Sequence, residues 1–448
     1  MASLVTTKRY ISSLDFMDQR ALLRQLLNIT NEETSFMDVM ELLGREVPVE
    51  MPKYSNFINS ELYATDTIVS FTDTSGGSGQ GHATVVITTA SGNSFPIAGD
   101  LILFPSGYLG WVKSVTADAG GDSLDVYAVN LAVTSAMLAG AAAQVVSFIS
   151  NAQGEGSGAP GTRRYGTTAR SNWVQIFKNS GKITDIQKAS KIEIVYNGQE
   201  YFFSKLQHDT LMKHRGDISN ALIFGQISDE NFSGATSYLN DANSNRVQTT
   251  RGLREYVTTY GINDSATPVA FDLSYVQSLV RRLAARRCPE QYLVLGGIEG
   301  SIAWTNFTSA LNSAVSFSPN ARMNIGGNEV NVDIETFKGF GHTFMFKRLP
   351  ILDHQKTVNF TGSAGFQSEM YFMPLDKVKD EGSGSDVDRF RVRYLQGDGH
   401  DWRYVESLDG KLAPNKTSLE SILQVEYQSI MGLEIAGPDH FAIVKVQN

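Results

Sequence analysis

The sequence predicts an α+β chain with a small all-β domain inserted towards its N-terminal end. Three observations predict it. A block from about Thr65 to Ala152 is nearly free of charge, rich in Gly, Ser, Thr and Val, and broken into strand-length runs. A segment from about Gly198 to Phe224 places apolar residues near one helical stripe. The C-terminal region holds extended runs that alternate apolar and polar residues.

Composition sets the outer limits. Of 448 residues, 42% are hydrophobic and 19% charged, which excludes disorder of the whole chain. Lys plus Arg is 38 and Asp plus Glu is 47, so 38 − 47 = −9; a globally basic nucleic-acid binder is excluded. A single cysteine, Cys288, excludes an intrachain disulfide framework and a Cys-based zinc site. Met1 to Tyr10 is polar and shows no secretory signal pattern, so synthesis in a reducing cytoplasm is expected. Val126 to Gly154 carries no charge, but Asn130, Thr134 and Gln144 interrupt it. A membrane span needs about 20 mostly apolar residues, so this stretch reads as a buried small-residue segment.

The elements follow in order. Ser13 caps a short helix carrying Met17, Leu22, Leu23, Leu26 and Leu27. Ser35 caps a second, with Phe36, Met40 and Leu43 at i, i+4, i+7 and Gly44 at its C-terminal end. Two such small helices bury each other poorly, so they need a partner surface. Phe36, Met40 and Leu43 are the expected contacts. Between Thr74 and Gly154 the charged residues are Asp100, Lys113, Asp118, Asp122 and Asp125, where average composition would give roughly fifteen. Strands are expected at Ala83 to Thr88, Leu101 to Phe104, Gly110 to Val115 and Ser123 to Asn130. Gly76-Gly77-Ser78-Gly79 and Gly120-Gly121-Asp122 mark turns. Gly154 to Arg164 is a linker. The long helix carries Phe202, Leu206, Leu211, Ile218 and Leu222, with Gly216 weakening its middle and Gly225 ending it.

A helix from Asp272 carries Val276, Leu279, Val280 and Leu283. It ends on Arg281, Arg282, Arg286 and Arg287. Complementing the helix C-terminus is the favoured role of these cations, and contact with an acidic neighbour or nucleic acid is the alternative. Gln291 to Leu295 forms a strand that turns at Gly296-Gly297 into a helix from Ser301, with Ala303, Phe307, Ala310 and Leu311. A hairpin follows: Val330, Val332 and Ile334 outward, Gly339-Phe340-Gly341 at the turn, Phe344 and Phe346 on the return. Further strands are expected at Glu369 to Leu375, Phe390 to Leu395, Ile422 to Ile435 and Phe441 to Val446, with Gly437-Pro438 before the last.

No chemistry stands out. Gly156, Gly158 and Gly161 have dinucleotide-motif spacing without the strand and helix that would present a phosphate. The turn around Gly296-Gly297 lacks that spacing, and Glu299 has the wrong sign for a phosphate. The seven histidines form no metal-binding pattern, and no nucleophile elbow or Walker loop is present. Asp380 to Asp386 lacks calcium-loop spacing. An arm, a β insertion, a long helix and extended strands describe a self-assembling structural protein rather than an enzyme.

Two motifs carry a resemblance. Asn172-Trp173-Val174-Gln175-Ile176-Phe177 leads into a polar strand and then a helix containing Lys213-His214-Arg215-Gly216-Asp217-Ile218. The close, from Leu423 through Gly437-Pro438 to Val446, fits the same pattern. Together they resemble the major capsid proteins of tailed bacteriophages with the Hong Kong 97 type fold, including those of the crAss-like phages. Val174 and Gly216 depart from that group's wording. The resemblance implies an N-terminal arm (1–59), an E-loop with the inserted all-β domain (60–180), a P-domain with the spine helix (181–271), an A-domain (272–352) and return strands (353–448). It implies hexamers and pentamers of one chain forming an icosahedral shell around double-stranded DNA in the virion. Portal, scaffold or decoration proteins are the implied partners, with no cofactor, no metal and no membrane. Trp173, Phe177 and the four arginines join the arm residues as expected assembly contacts. An encapsulin-like compartment shell and a glycan-binding phage surface protein are the rival readings.

Overall fold

A computed structural model describes residues 36–59, 65–75, 80–89, 94–138, 142–158, 160, 167–184, 202–228, 239–240, 242–312, 323–325, 328–330, 335–353, 366–379, 384–411, 413 and 420–447. The helix expected after Ser13, the Gly76 to Gly79 turn, Arg163-Arg164, the start of the long helix before Phe202, Val332, Ile334 and Asp380 to Ser383 lie outside these residues. The chain divides into two compact units, Phe57–Ala169 and a body made of Met1–Asn56 with Arg170–Asn448.

The smaller unit is a closed six-stranded barrel. Its strands are β3 (Thr65–Asp73), β4 (His82–Ile87), β5 (Asp100–Leu103), β6 (Leu109–Thr116), β7 (Ser123–Ala128) and β8 (Val145–Asn151), in the order β3-β4-β7-β6-β5-β8. Alternation builds it: along β4 and β7 every second residue is buried. Ala83, Val85, Ile87, Leu124, Val126 and Ala128 therefore share the interior with Phe104 and Phe148. Gly110 is required by close approach, since a Cβ there would lie 2.4 Å from Val126 and 2.8 Å from Phe104. A four-residue helix, α2 (Ser135–Leu138), precedes β8. All four strands expected in this block form, each within two residues of its expected ends.

The body draws on both ends of the chain. Before the barrel come α1 (Phe36–Leu42), β1 (Glu46–Val49) and β2 (Lys53–Asn59); after it come β9 (Thr167–Trp173), which pairs with β2, and β10 (Gln175–Thr184). The long helix α3 spans Phe202–Phe224, followed by α4 (Leu253–Tyr260), β11 (Ile262–Val269), α5 (Leu273–Ala285), β12 (Gln291–Gly296) and α6 (Ile298–Asn312). Two short pieces, β13 (Met323–Ile325) and β14 (Asn328–Val330), pair with each other, and the hairpin β15 (Glu335–Gly339) and β16 (His342–Arg348) follows. The C-terminal strands are β17 (Glu369–Pro374), β18 (Lys377–Lys379), β19 (Asp386–Asp388), β20 (Phe390–Gly397), β21 (His400–Asp401), β22 (Val405–Asp409), β23 (Ile422–Ile435) and β24 (Ala442–Val446).

Two sheets organise them. One runs β1-β20-β23-β10, with β21 on β20 and β22 on β23; the other runs β11-β24-β17-β12-β16-β15. The second sheet is sandwiched: β12 and β17 are buried almost throughout. Strand β23 changes character midway. From Ile422 to Ser429 alternate residues are buried, whereas Ile430 to Ile435 are buried on both faces.

The long helix runs continuously through Gly216, and among the described residues no atom lies within 4 Å of its Cβ site. One expectation is corrected. Helix α6 starts at Ile298 rather than Ser301, since the Asp353 carboxylate accepts from the Ile298 amide at 2.6 Å and caps it from a distance. The hairpin forms with the expected turn and return strand, Glu335–Gly339 pairing with β16; residues 331–334 of its expected outgoing alternation lie outside the described residues. Asp272 does cap α5, accepting from the Tyr275 amide at 2.8 Å, and Val276, Leu279, Val280 and Leu283 are buried as expected.

Candidate assembly surfaces

Helix α1 is held by two kinds of contact. Phe36, Met37, Val39 and Met40 enter the main core of the body with Ile218 and Leu222 of α3. On its outer side, Asp38 and Glu41 both receive Arg215, at 2.9 and 2.7 Å. Leu43 packs partly buried against the same core. Phe36 and Met40 are therefore interior residues of their own chain, and the surface that α1 leaves outward is its charged side with Leu42 and Glu41.

The segment Asn172 to Phe177 behaves the same way. Asn172 is buried and fully engaged. Its amide nitrogen donates to Thr250 Oγ1, Arg251 O and Leu433 O (3.1, 3.1 and 2.7 Å), and its oxygen accepts from the Trp173 and Arg251 backbone amides (both 2.8 Å). Trp173 and Phe177 are buried too. The Trp173 ring carries Lys53 Nζ at 5.5 Å and the Arg246 guanidinium at 5.8 Å from its centroid. The residue this segment turns outward is Ile176, 58% exposed. Trp173 and Phe177, expected to face a neighbour, are instead buried within their own subunit: Trp173 ends β9, and Phe177 on β10, the strand beside β23 on which the long helix packs, joins the main core.

The four arginines of α5 separate. Arg282 clamps the Asp264 carboxylate from two nitrogens, with Tyr275 completing the group. These hydrogen bonds raise the Arg282 guanidinium and, against burial, hold the Asp264 carboxyl below its ordinary value. Arg286 donates to the Asp439 carbonyl at 2.7 Å, tying α5 to the Gly437-Pro438 turn. Arg281 and Arg287 stay exposed, Arg287 with φ of +53°. Two of the four are thus internal fasteners, and the other two are exposed.

Buried polar groups missed at the level of sequence secure the body. Thr210, His214 and Ile218 share the inward stripe of α3. His214 bonds Asn179 Oδ1 at 2.7 Å and Ser429 Oγ at 2.8 Å. Burial lowers its imidazole pKa, so it serves as a neutral bridge. Glu434 is buried beneath Arg391 and Arg393. Burial alone would raise its carboxyl, and the two guanidinium hydrogen bonds outweigh that and hold it down. No local pattern signals these residues, since each partner comes from a distant strand. Among the described residues no group of three or more His, Cys, Asp or Glu side chains is placed to hold a metal ion, and no helix is long and apolar enough to cross a membrane.

Beside this geometry stands a match along the sequence. The sequence model of the SU10 major capsid protein family matches residues 5–381. The chain belongs to the SU10 major capsid protein family. It is therefore a structural protein of the virion that assembles with copies of itself, and not an enzyme. The match does not single out the crAss-like group. Comparison with curated proteins finds no match. Among solved structures, that of Microbacterium phage Oxtober96 is 7% identical with a TM-score of 0.40, over 95% of this chain and 96% of that one. The capsid of Myoviridae phage XM1 is 10% identical with a TM-score of 0.37, over 66% and 81%. The holo-SrpI encapsulin complex of Synechococcus elongatus PCC 7942 is 9% identical with a TM-score of 0.36, over 63% and 77%. The assignment of this capsid protein rests on the family match, not on these likenesses.

Proposed function

We propose that this capsid protein builds the icosahedral head of a tailed phage as hexamers and pentamers of the Hong Kong 97 type, around double-stranded DNA. The family match over residues 5–381 carries the reading. The order of elements supports it: an N-terminal segment, an inserted barrel, the long helix α3 and two sheets closed by C-terminal strands. In this reading residues 1–59 form the arm, 60–180 the E-loop with its inserted domain, 181–271 the P-domain with α3 as spine, 272–352 the A-domain and 353–448 the return strands. The arm and E-loop would lie across neighbours, burying surface that a monomer leaves open. Met51 and Ile176 in the body, and Phe57 in the smaller unit, are exposed apolar residues available for such burial.

Assembly would take place in the host cytoplasm, with portal, scaffold or decoration proteins as partners. The net charge of −9 favours a wall that does not grip the duplex, which keeps DNA mobile during packaging. Negative-stain electron microscopy of the purified chain, with nucleic-acid analysis of particles from infected cells, tests this. Closed shells or rings of five and six, and DNA inside the particles, are expected. A protein cargo in place of DNA would overturn the phage-head reading.

A further inference from the structure

The barrel has two unlike ends. At one end lie the β5–β6 turn (104–108), the loop after β7, α2 and the start of β8. Gly110 of β6 pairs there with Ala128 of β7, Leu103 of β5 pairs with Ser147 of β8, and the Val129 amide donates to the Leu109 carbonyl at 3.0 Å. At the other end the β6–β7 turn is polar, with Asp118, Gly120, Gly121 and Asp122.

The first end gathers apolar side chains in solvent. Tyr108, Val129, Leu131, Met137 and Val145 are each between 41% and 71% exposed. They belong to two segments, 101–112 and 126–154, that contain no Asp, Glu, Lys, Arg or His. Asp73 of β3 approaches α2, but its carboxylate is already met by the Ser135 and Ser75 hydroxyls and the Ser75 amide. An exposed apolar patch of this kind marks a contact site. The barrel is closed and has no free strand edge to extend a neighbour's sheet, so a contact at this end is made by side chains.

We propose that this end of the barrel docks on the same end of the barrel of a second copy, about a twofold axis. The absence of charge argues for a second copy. A charged patch needs a partner of opposite sign, whereas an uncharged apolar patch is complementary to itself, as a twofold contact requires. The chain carries a net −9, so identical copies repel where their acidic surfaces meet, and at this end they meet without that cost. The protein also assembles with itself, so a second copy is at hand. This contact rests on the assembly reading above, to which it adds a surface and a symmetry.

Two measurements test it on the full chain. First, Leu131→Glu and Leu131→Lys are compared with wild type for the protein concentration at half-assembly, singly and as an equal mixture. Leu131 is the most exposed of the five side chains, so thermal unfolding of the unassembled variants is expected to match wild type. Each variant alone is expected to need about tenfold more protein, because it sets like charges against each other in an apolar contact. The mixture is expected to recover most of that loss, because opposite charges then face each other across the axis. Second, a photo-crosslinking amino acid replaces Met137, and particles are assembled from an equal mixture of 14N- and 15N-labelled chains. Mass spectrometry is expected to find mixed-isotope crosslinks to residues 104–108 or 129–145. Wild-type assembly by both single variants, a mixture no better than either alone, or crosslinks that reach only other parts of the chain overturn the proposed contact and leave the assembly reading intact. A wild-type chain that forms neither shells nor rings overturns the assembly reading and the contact with it.

Discussion

The barrel and the body are stabilised by different materials. The barrel is one continuous stretch of sequence whose core is alternating apolar side chains in antiparallel strands, and its buried Asp100 and Asp122 accept from amides of its own loops, those of Ile97, Ser94 and Asp118. The body joins residues hundreds of positions apart: Glu46 of β1 pairs with Val392 of β20, and Gln175 of β10 with Met431 of β23. Its interior also holds Asn172, His214, Ser429, Glu369 and Glu434, each needing a partner from elsewhere in the chain. A core of apolar residues tolerates small errors of position, whereas a buried polar group fails when one partner moves. The barrel should therefore fail by losing apolar packing, and the body by losing single hydrogen bonds.

The sharpest break of this comparison is Val126→Asp. Val126 is fully buried in the barrel, and an unpaired carboxylate there should cost on the order of 5 kcal/mol. Hydrogen exchange with mass spectrometry should show protection lost across 65–151 and retained in the body. Loss in both would show that the two units fold as one.

The next is Asn172→Ala. It strands the backbone amides of Trp173 and Arg251 and the carbonyls of Arg251 and Leu433 inside the body. The cost should be about 3–4 kcal/mol, read from the urea midpoint of the body transition, with the barrel transition unmoved. An Asn172→Ala protein as stable as wild type would mean that these groups find water or each other.

The same contrast explains what the sequence revealed. The barrel strands were legible because alternation and glycine turns are local signals, as at Ala83 to Thr88 and Gly120-Gly121. Helix α5 was legible through Asp272 and its apolar period. The capsid wording at Asn172 to Phe177 located a critical segment but misread its direction: Trp173 and Phe177 point into their own subunit. Helix α3 hid its inner face because Thr210 and His214 occupy it, where a hydrophobic count sees polar positions. The Glu46–Arg403 ion pair was invisible, since its two residues are far apart in the sequence.

Acid should separate the units further. His214 and His440 are both lowered below the ordinary histidine value of 6.5, chiefly by burial, with Arg389 adding to the effect at His440. A depressed folded value means the unfolded chain takes up protons first, so their contribution is complete above pH 6.5 and is lost as pH falls through the folded values. Glu434 adds a second loss below its ordinary 4.5, because it too is held down in the fold. In the barrel, Asp73 is held down to about 2 by the Ser135 and Ser75 hydroxyls, so its loss begins only below 3.8. Urea titrations at pH 7, 5.5 and 4.5 should show the body midpoint falling. A flat body midpoint over that window would remove His214 and His440 from its stability.

The smallest effect runs the other way and probes α3 alone. Gly216 lies in the interior of the helix without a positive φ, and a Cβ there meets no described atom within 4 Å. Gly216→Ala should stabilise the body by about 0.5–1 kcal/mol, because alanine loses less backbone freedom on folding. The barrel midpoint should not move. If the body is instead destabilised, the space beside Gly216 is filled by a segment of the chain or by a neighbouring subunit. Repeating the measurement on assembled and unassembled protein then tells the two apart: a penalty confined to the assembled form would place a subunit contact on the spine helix at that glycine.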